Sequence, residues 1–397
     1  MILKADRIIT GDGVTVLENK AVCIDNGKIT GIDNLAALVQ KYPGFPVKEY
    51  KDATILPGLI DMHVHTGYIW SRSDAISFND FDLAFFALNY AKKAFSKGVT
   101  TFRDVSSSKN LCASINRAAK EGFIEVPRII HTDAALCMTG GHAWEDGSVE
   151  VNSPWTIRAA IRDAVKRGAM WIKLMASHRS FIPEFTQEEL NAAVDETHRV
   201  GKKIAVHAGT QPSIQMCIDA GFDTIEHGTY LTETQAAQMK EKGIVWVPTI
   251  AAYTKTHEII MEAAKNNVAG EAKHFAADEA YFGNAAASYR NNFKKLYDTG
   301  VKIVTGTDLC YENAPVTHVA WELKYMVNYG MPAIEAIRAA TRAGAETLSI
   351  DDKTGEISVG KLADILIVDG NPLEDIGAME RVAEVYFSGK SVYASAC

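Results

Sequence analysis

The sequence predicts an α/β protein: a (β/α)8 TIM barrel carrying a small β-sandwich built from its two ends. Three observations predict it. Across residues 56–349, apolar runs alternate with amphipathic stretches, as repeated βα units around a parallel sheet require. Eight such runs can be counted, the number that closes a barrel. Residues 1–55 and 350–397 instead show short alternating runs broken by glycine turns, and neither piece alone can close a core. A chain of 397 residues is long enough for both units, and 47% hydrophobic with 23% charged residues is a globular composition.

Taken in order, the first 55 residues contain Arg7-Ile-Ile-Thr-Gly-Asp-Gly13 and Lys20-Ala-Val-Cys-Ile-Asp-Asn-Gly-Lys28, where Asp-Gly and Asn-Gly mark hairpins. The barrel strands are expected at 59–65, 99–105, 128–134, 171–176, 203–207, 224–227, 245–250 and 302–307. Helical stretches at 83–96, 111–120, 156–167, 187–200, 212–220 and 233–242 lie between them. Each is followed by a glycine suited to a C-cap: Gly98, Gly122, Gly168, Gly201, Gly221 and Gly243. The seventh connection, about 253–300, is long and helical in character, so it is expected to overhang the C-terminal strand ends where barrel enzymes keep their chemistry. Residues 323–340 supply closing helices, and the strands around Ile365 and Val385 complete the sandwich.

Composition excludes several classes of function. The net charge of −8, with no cluster of Lys and Arg, argues against a nucleic-acid partner. No window approaches the ~18 uninterrupted apolar residues of a membrane span, so no membrane partner is expected. The six cysteines are scattered, without Cys-x-x-Cys, which speaks against a disulfide scaffold. Met1-Ile-Leu-Lys-Ala-Asp-Arg lacks the basic then apolar pattern of a secretory signal, and cytoplasmic residence is expected. The expected partner is a small-molecule substrate, and a homo-oligomer is the expected assembly.

The chemistry is concentrated at predicted strand ends. His63 and His65 close Leu56-Pro-Gly-Leu-Ile-Asp-Met-His-Val-His65, and the period of two along a strand turns both the same way. Such a pair either chelates a divalent cation or caps the strand through ordinary hydrogen bonds. Lys173 lies inside the apolar Trp171-Ile-Lys-Leu-Met175, where an unpaired ammonium is costly to bury. Either a buried carboxylate compensates it, or the neutral amine reacts with carbon dioxide to give a carbamate anion. His207, His227 and Asp308 end strands five, six and eight. Singly, each reads equally as a core histidine or a helix-capping aspartate. Together the six supply donors for two divalent ions; zinc is the expected metal, though manganese, cobalt and iron share these donors.

Pro57-Gly-Leu-Ile-Asp-Met-His-Val-His65, Glu226-His-Gly-Thr229, Gly306-Thr-Asp308 and Gly360-Lys-Leu-Ala-Asp-Ile-Leu-Ile-Val-Asp-Gly-Asn-Pro372 resemble the amidohydrolase superfamily over nearly the whole chain. Within it, Met138-Thr-Gly-Gly-His142 and Tyr230 resemble substrate-contacting positions of the imidazolonepropionase-related branch, which includes prolidase-like metallocarboxypeptidases. Those enzymes act on the C-terminal residue of dipeptides and N-acyl amino acids. The resemblance implies that His63, His65 and Asp308 bind the more buried metal, that His207 and His227 bind the second, and that carboxylated Lys173 bridges them. It departs after strand four, where Ser177-His-Arg-Ser180 replaces an expected Ser-Gly-Gly and sets His178 and Arg179 beside the site.

Two such ions hold a bridging hydroxide at neutral pH, and Asp308 then shuttles its proton to the departing nitrogen. His142 is placed to donate to an oxyanion or to a substrate carboxylate, and facing water is its plain alternative. Tyr230 and Arg179 are the remaining substrate-binding candidates, with packing and a structural ion pair as theirs. For Arg103 and Asp104 an internal pair between them, or another structural ion pair, is expected. The expected function is hydrolysis of the amide bond of a dipeptide or N-acyl amino acid. Cleavage of a cyclic amide (imidazolone or hydantoin), carbamate or urea stands as the alternative on the same site. An inactive scaffold is disfavoured because all six donors are present.

Overall fold

A computed structural model describes residues 1–67, 79–178, 182–265, 279–309 and 317–395. The two ends of the chain meet in a six-stranded sheet ordered Lys390–Ala394, Val382–Phe387, Ile365–Asp369, Ala53–Pro57, Arg7–Ile9, Val16–Glu18. Ile365–Asp369 pairs antiparallel with Ala53–Pro57, bringing Ile365 opposite Pro57 and Asp369 opposite Ala53. A four-stranded sheet, Lys28–Asp33, Ala21–Asp25, Ile2–Lys4, Val47–Glu49, lies against it. Alternation explains the packing. Ile55, Ile365 and Ile367 join Leu3, Val22 and Ile24 in one buried cluster, whereas Leu56, Leu366 and Val368 turn the other way into the main core. The predicted Asn26-Gly27 hairpin is present, with both residues at positive φ (48° and 76°), the twist a two-residue turn needs.

The middle of the chain is α/β and of TIM-barrel type. Strands β1 (Leu59–Val64), β2 (Val99–Asp104) and β3 (Arg128–His131) form one parallel ladder. Strands β4 (Trp171–Met175), β5 (Lys203–Ala208), β6 (Thr224–His227) and β7 (Val245–Val247) form another, extended by Leu136–Cys137 and Val149–Glu150. His131 O accepts from Met170 N at 2.9 Å where the two ladders adjoin. Inward side chains from several strands, including Ile60, Met62, Ile130, Trp171, Ala205 and Val247, form one buried cluster, as layered filling of such a fold requires. The helices begin at strong caps: Asn79, Ser153, Thr186 and Thr232 each accept from the helix start and receive the reciprocal bond of a capping box.

The first barrel strand expected at 59–65 is present as Leu59–Val64, while Leu56 and Pro57 of the same apolar run belong to the terminal sheet and the chain breaks at Gly58 between the two. A Cβ at Gly58 would sit 2.2 Å from Thr100 Oγ1, so only glycine permits the crossing. The eighth run, 302–307, is not a regular strand; among the described residues only Ile303 makes a bridge, to Trp246. Its backbone is shared between two neighbours instead. Trp246 N donates to Lys302 O and Val304 N to Trp246 O, while Met62 N donates to Thr305 O at 2.9 Å and Asp308 N to His63 O at 2.8 Å. Gly306 allows the close approach, since a Cβ there would meet His63 Cβ at 2.7 Å.

Candidate functional site

The C-terminal ends of the parallel strands open into a cavity of about 920 Å3, counting its mouth. His63, His65, Lys173, His207, His227 and Asp308 line it together, although they are spread over 245 positions of the chain (63 to 308). Their rings lie close: His63 and His65 have centroids 5.2 Å apart, His63 and His227 4.9 Å, His207 and His227 4.4 Å.

Each side chain is aimed by a partner behind it. His63 Nδ1 donates to Glu226 Oε2 at 2.7 Å, both residues being fully buried. Glu226 in turn accepts from Arg103 Nη2 at 2.7 Å and from Thr224. Arg103 also donates from Nε to Met62 O at 2.7 Å and lies over the Trp171 ring. His65 Nδ1 faces Ser106 O at 3.1 Å and must donate, because a carbonyl only accepts. Both rings therefore turn Nε2 toward Asp308 Oδ1, at 3.6 Å for His63 and 3.3 Å for His65. Two ring nitrogens and a carboxylate oxygen converging in this way can hold a cation between them. The ligating atoms of these three residues all lie within 4.8 Å of one another.

The opposite side is held by the ends of β6 and β7. His227 Nδ1 lies 2.7 Å from Thr249 Oγ1, and His227 O accepts from Trp246 Nε1 and Tyr289 Oη. Three residues here carry left-handed backbone: His227 (φ 65°), Thr249 (φ 49°) and Asp308 (φ 49°). For a β-branched Thr this is unfavourable by about 1–3 kcal/mol and persists only under surrounding constraint. Asp61 supplies some of it, accepting from His63 N, Thr307 N, Thr307 Oγ1 and Thr317 Oγ1, and so ties β1 to the segment carrying Asp308.

Burial and mutual charge set the protonation states. Burial, aided by Lys173, holds His63 well below the ordinary histidine value; burial likewise lowers His207 and takes His227 down to about 4. At His65, burial is outweighed by the hydrogen bond and charge of Asp308, and the net shift is upward. At Asp308, burial opposes ionisation, but His63, His65 and His227 prevail and hold the carboxyl well below the usual carboxylate range. Lys173 is 1% exposed, and burial brings its amine down to about 8. Among the described residues no carboxylate lies within ion-pair distance (4.0 Å) of that amine. Glu226 and Asp308 still favour the charged amine from farther away, against its burial.

His142 also lines the cavity, its ring 4.3 Å from that of His207. Its backbone N donates to both oxygens of Glu184 at 3.1 Å. His178, expected beside the site, lines the cavity, with Nδ1 2.7 Å from His142 Nδ1. Arg179 lies outside the described residues. Tyr230 is half-buried, with its N donating to Gly209 O, and is not among the residues lining the cavity. Arg103 forms a structural ion pair as expected, with Glu226 rather than with Asp104. It sits within β2 and reaches Glu226, while Asp104 accepts from Thr66 N and Oγ1, because consecutive strand residues face opposite ways.

Sequence reasoning did not single out Glu226, Asp61, Tyr253, Tyr281 or Phe282. Glu226 had a signal, a carboxylate inside the buried strand Thr224–His227 that needed a partner. The three aromatics come from helices Ile250–Lys265 and Glu279–Asp298 of the long seventh connection and form the apolar wall of the cavity. Tyr253 packs edge-on to His227, with centroids 5.7 Å apart, and Tyr281 and Phe282 pack beside it.

Comparison with known proteins agrees with this geometry. Residues 54–392 match the model of the amidohydrolase family. Ochratoxinase from Aspergillus niger is 30% identical over 436 aligned positions, covering 98% of this chain and 86% of that protein. A crystal structure of a Xaa-Pro dipeptidase with methionine bound in its active site superposes with a TM-score of 0.85 at 32% identity, covering 99% of both chains. A prolidase complexed with N-methylphosphonate-L-proline gives 0.82 at 25% identity, again covering 99% of both. The chain belongs to the amidohydrolase family and is a hydrolase acting on carbon–nitrogen bonds.

Proposed function

We propose that this protein is a dinuclear metal-dependent hydrolase that cleaves the amide bond of a dipeptide or an N-acyl amino acid. The reading rests on one observation above the rest: the Nε2 atoms of His63 and His65 converge on ionised Asp308 in a cavity that buried Lys173, His207 and His227 also line. In this reading His63, His65 and Asp308 would hold one divalent ion and His207 and His227 a second, with Lys173, as its carbamate, available as a further ligand. Zinc suits this mixture of imidazole and carboxylate donors. When bound, such ions activate water and polarise the carbonyl of the substrate.

The side chains perform the rest. Asp308 takes the proton of the attacking water at its carboxylate oxygen and passes it to the leaving nitrogen, giving a carboxylate and an amine. His142 donates to the oxyanion that develops on the carbonyl. Tyr253, Tyr281 and Phe282 exclude water and receive an apolar portion of the substrate. Tyr230 is left out of the reading because it lies off the cavity lining. The relatives support an amide: one holds a bound amino acid, and another a phosphonate on the nitrogen of proline, a tetrahedral group resembling an attacked amide carbon.

The scaffold we propose is a closed (β/α)8 barrel of residues 56–349, with 1–55 and 350–397 forming one β-sandwich domain. Support comes from the hydrogen bonds of 302–308 to both β7 and β1, and from the sheet shared by both termini. Exposed Phe81, Phe85, Phe123 and Trp155 favour a homo-oligomer. Buried free Cys23, Cys112, Cys137 and Cys217 suit the reducing cytoplasm. No helix among the described residues is long and apolar enough to cross a membrane.

The test is a hydrolysis panel of dipeptides, N-acyl amino acids, hydantoins and carbamates, with metal analysis on the same preparation. Two equivalents of metal per chain and turnover confined to acyclic amides are expected. Turnover that survives full chelation, or a clear preference for hydantoins or carbamates, would replace this reading.

A further inference from the structure

We propose that His178 is a positioning residue that fixes the tautomer of His142. The inference rests on the amide-hydrolysis reading, in which His142 donates to the substrate. His178 Nδ1 lies 2.7 Å from His142 Nδ1, with ring centroids 4.7 Å apart and planes inclined by 30°. Two imidazole nitrogens at that distance share one proton, so one ring donates and the other accepts. With its Nδ1 engaged, the remaining polar ring atom of His142 is Nε2. If His178 donates, the proton of His142 resides on Nε2 and that atom is a hydrogen-bond donor. If His142 donates, its Nε2 is bare and repels a developing oxyanion. Donation from His178 is therefore the arrangement that serves the reaction.

The position of His142 is fixed by its own loop. The His142 backbone is clamped by both oxygens of Glu184, and a Cβ at neighbouring Gly141 would come within 2.8 Å of Glu184 Oε2, so the loop is held close. The ring is flanked by His207 on one side and His178 on the other. Position is thus set by the loop, and what remains free is which ring nitrogen carries the proton. His178 is exposed at the end of β4, so changing it disturbs little of the core.

The test uses two variants of the metal-loaded protein. His178→Phe keeps a flat ring but has no proton to give; His178→Asn keeps an N–H donor of similar reach. Expected is a fall of about tenfold in kcat for His178→Phe with KM changed less than twofold, and recovery to within about threefold of the parent for His178→Asn. Alongside it, 15N spectra of histidine-labelled protein, with the His142 signals assigned by their loss in His142→Gln, should show the proton on Nε2 in the parent and a mixture of tautomers in His178→Phe. A kcat for His178→Phe equal to the parent, an Asn variant as slow as the Phe variant, or a parent proton found on Nδ1 of His142 would each overturn the proposal. The spectra read the tautomer without turnover, so a failure of the amide-hydrolysis reading would appear separately, as an inactive panel with the Nε2 tautomer intact.

Discussion

At the floor of the cavity, His63, His65 and His227 are each tied through Nδ1 to a partner on a neighbouring strand or strand end, whereas at the rim the polar and aromatic groups hang from loops and from two helices. Of the floor partners, Glu226 is backed by further bonds from Arg103 and Thr224, and the His63 backbone N donates to Asp61. At the rim, His178 is exposed and Tyr281 is only partly buried. The difference separates two tasks. Donors for a cation must be held to a few tenths of an ångström, which paired strands achieve, while substrate selection tolerates and profits from adjustable walls. The predictions below set the two regions against each other.

The largest effect is expected from Lys173→Ala at the floor. Removing the amine leaves nothing to become the bridging anion, so metal content should fall and turnover should drop by about a thousandfold, several kcal/mol of barrier. Elemental analysis and amide hydrolysis on the same sample read both. Partial recovery with short carboxylic acids is expected, because an acid diffusing into the vacated space restores the negative charge. A variant with a full complement of metal and near-parental turnover would show that the lysine is only buried filler.

Glu226→Gln comes next and probes the layer behind the ligands. Gln can still face His63 Nδ1 with its carbonyl, but it no longer balances Arg103, and leaving a buried guanidinium unpaired is expected to destabilise by about 3–5 kcal/mol. Loss of the carboxylate also weakens the basicity of His63, with metal affinity lowered roughly 10–100-fold. Metal titration followed by calorimetry measures the second and a melting curve the first. Unchanged affinity in a destabilised variant would mean that the strand alone orients His63 and that Glu226 serves only the fold.

Much of the floor was legible in the sequence, and physical cost explains why. An amine inside Trp171-Ile-Lys-Leu-Met175 and histidines at the ends of apolar runs are expensive unless compensated, so they stand out against their neighbours. The period of two then places His63 and His65 on one side without any tertiary information. Glu226 was quoted in its motif but given no role, since nothing local says that its partners would be His63 and Arg103, 163 and 123 positions away. The break at Gly58 hides for a similar reason: the apolar pattern continues through it, and only the contact with Thr100 forces the chain from one sheet to another. The rim was least legible. Tyr253 and Tyr281 become neighbours only because helices Ile250–Lys265 and Glu279–Asp298 pack together, and the pairing of His142 with His178 depends on two loops meeting.

The smallest effect is expected at that rim, from Tyr281→Ala. Tyr281 packs against Phe282 at 5.3 Å between centroids and against Tyr253 at 6.1 Å, on the wall opposite the donors. Truncation removes an aromatic contact worth about 1 kcal/mol from the bound substrate, so KM for substrates with a large apolar side chain should rise about threefold to tenfold. For glycine-bearing substrates, which cannot reach the wall, KM should stay as it was. Metal content and kcat should be those of the parent, because the bond this helix makes to the floor, from Tyr289 Oη to His227 O, does not involve Tyr281 and is left intact. A variant that loses metal, or one that loses kcat equally for every substrate, would show that wall and floor are mechanically coupled. The two-task division would then have to give way to a single cooperative site in which the seventh connection helps to hold the donors in place.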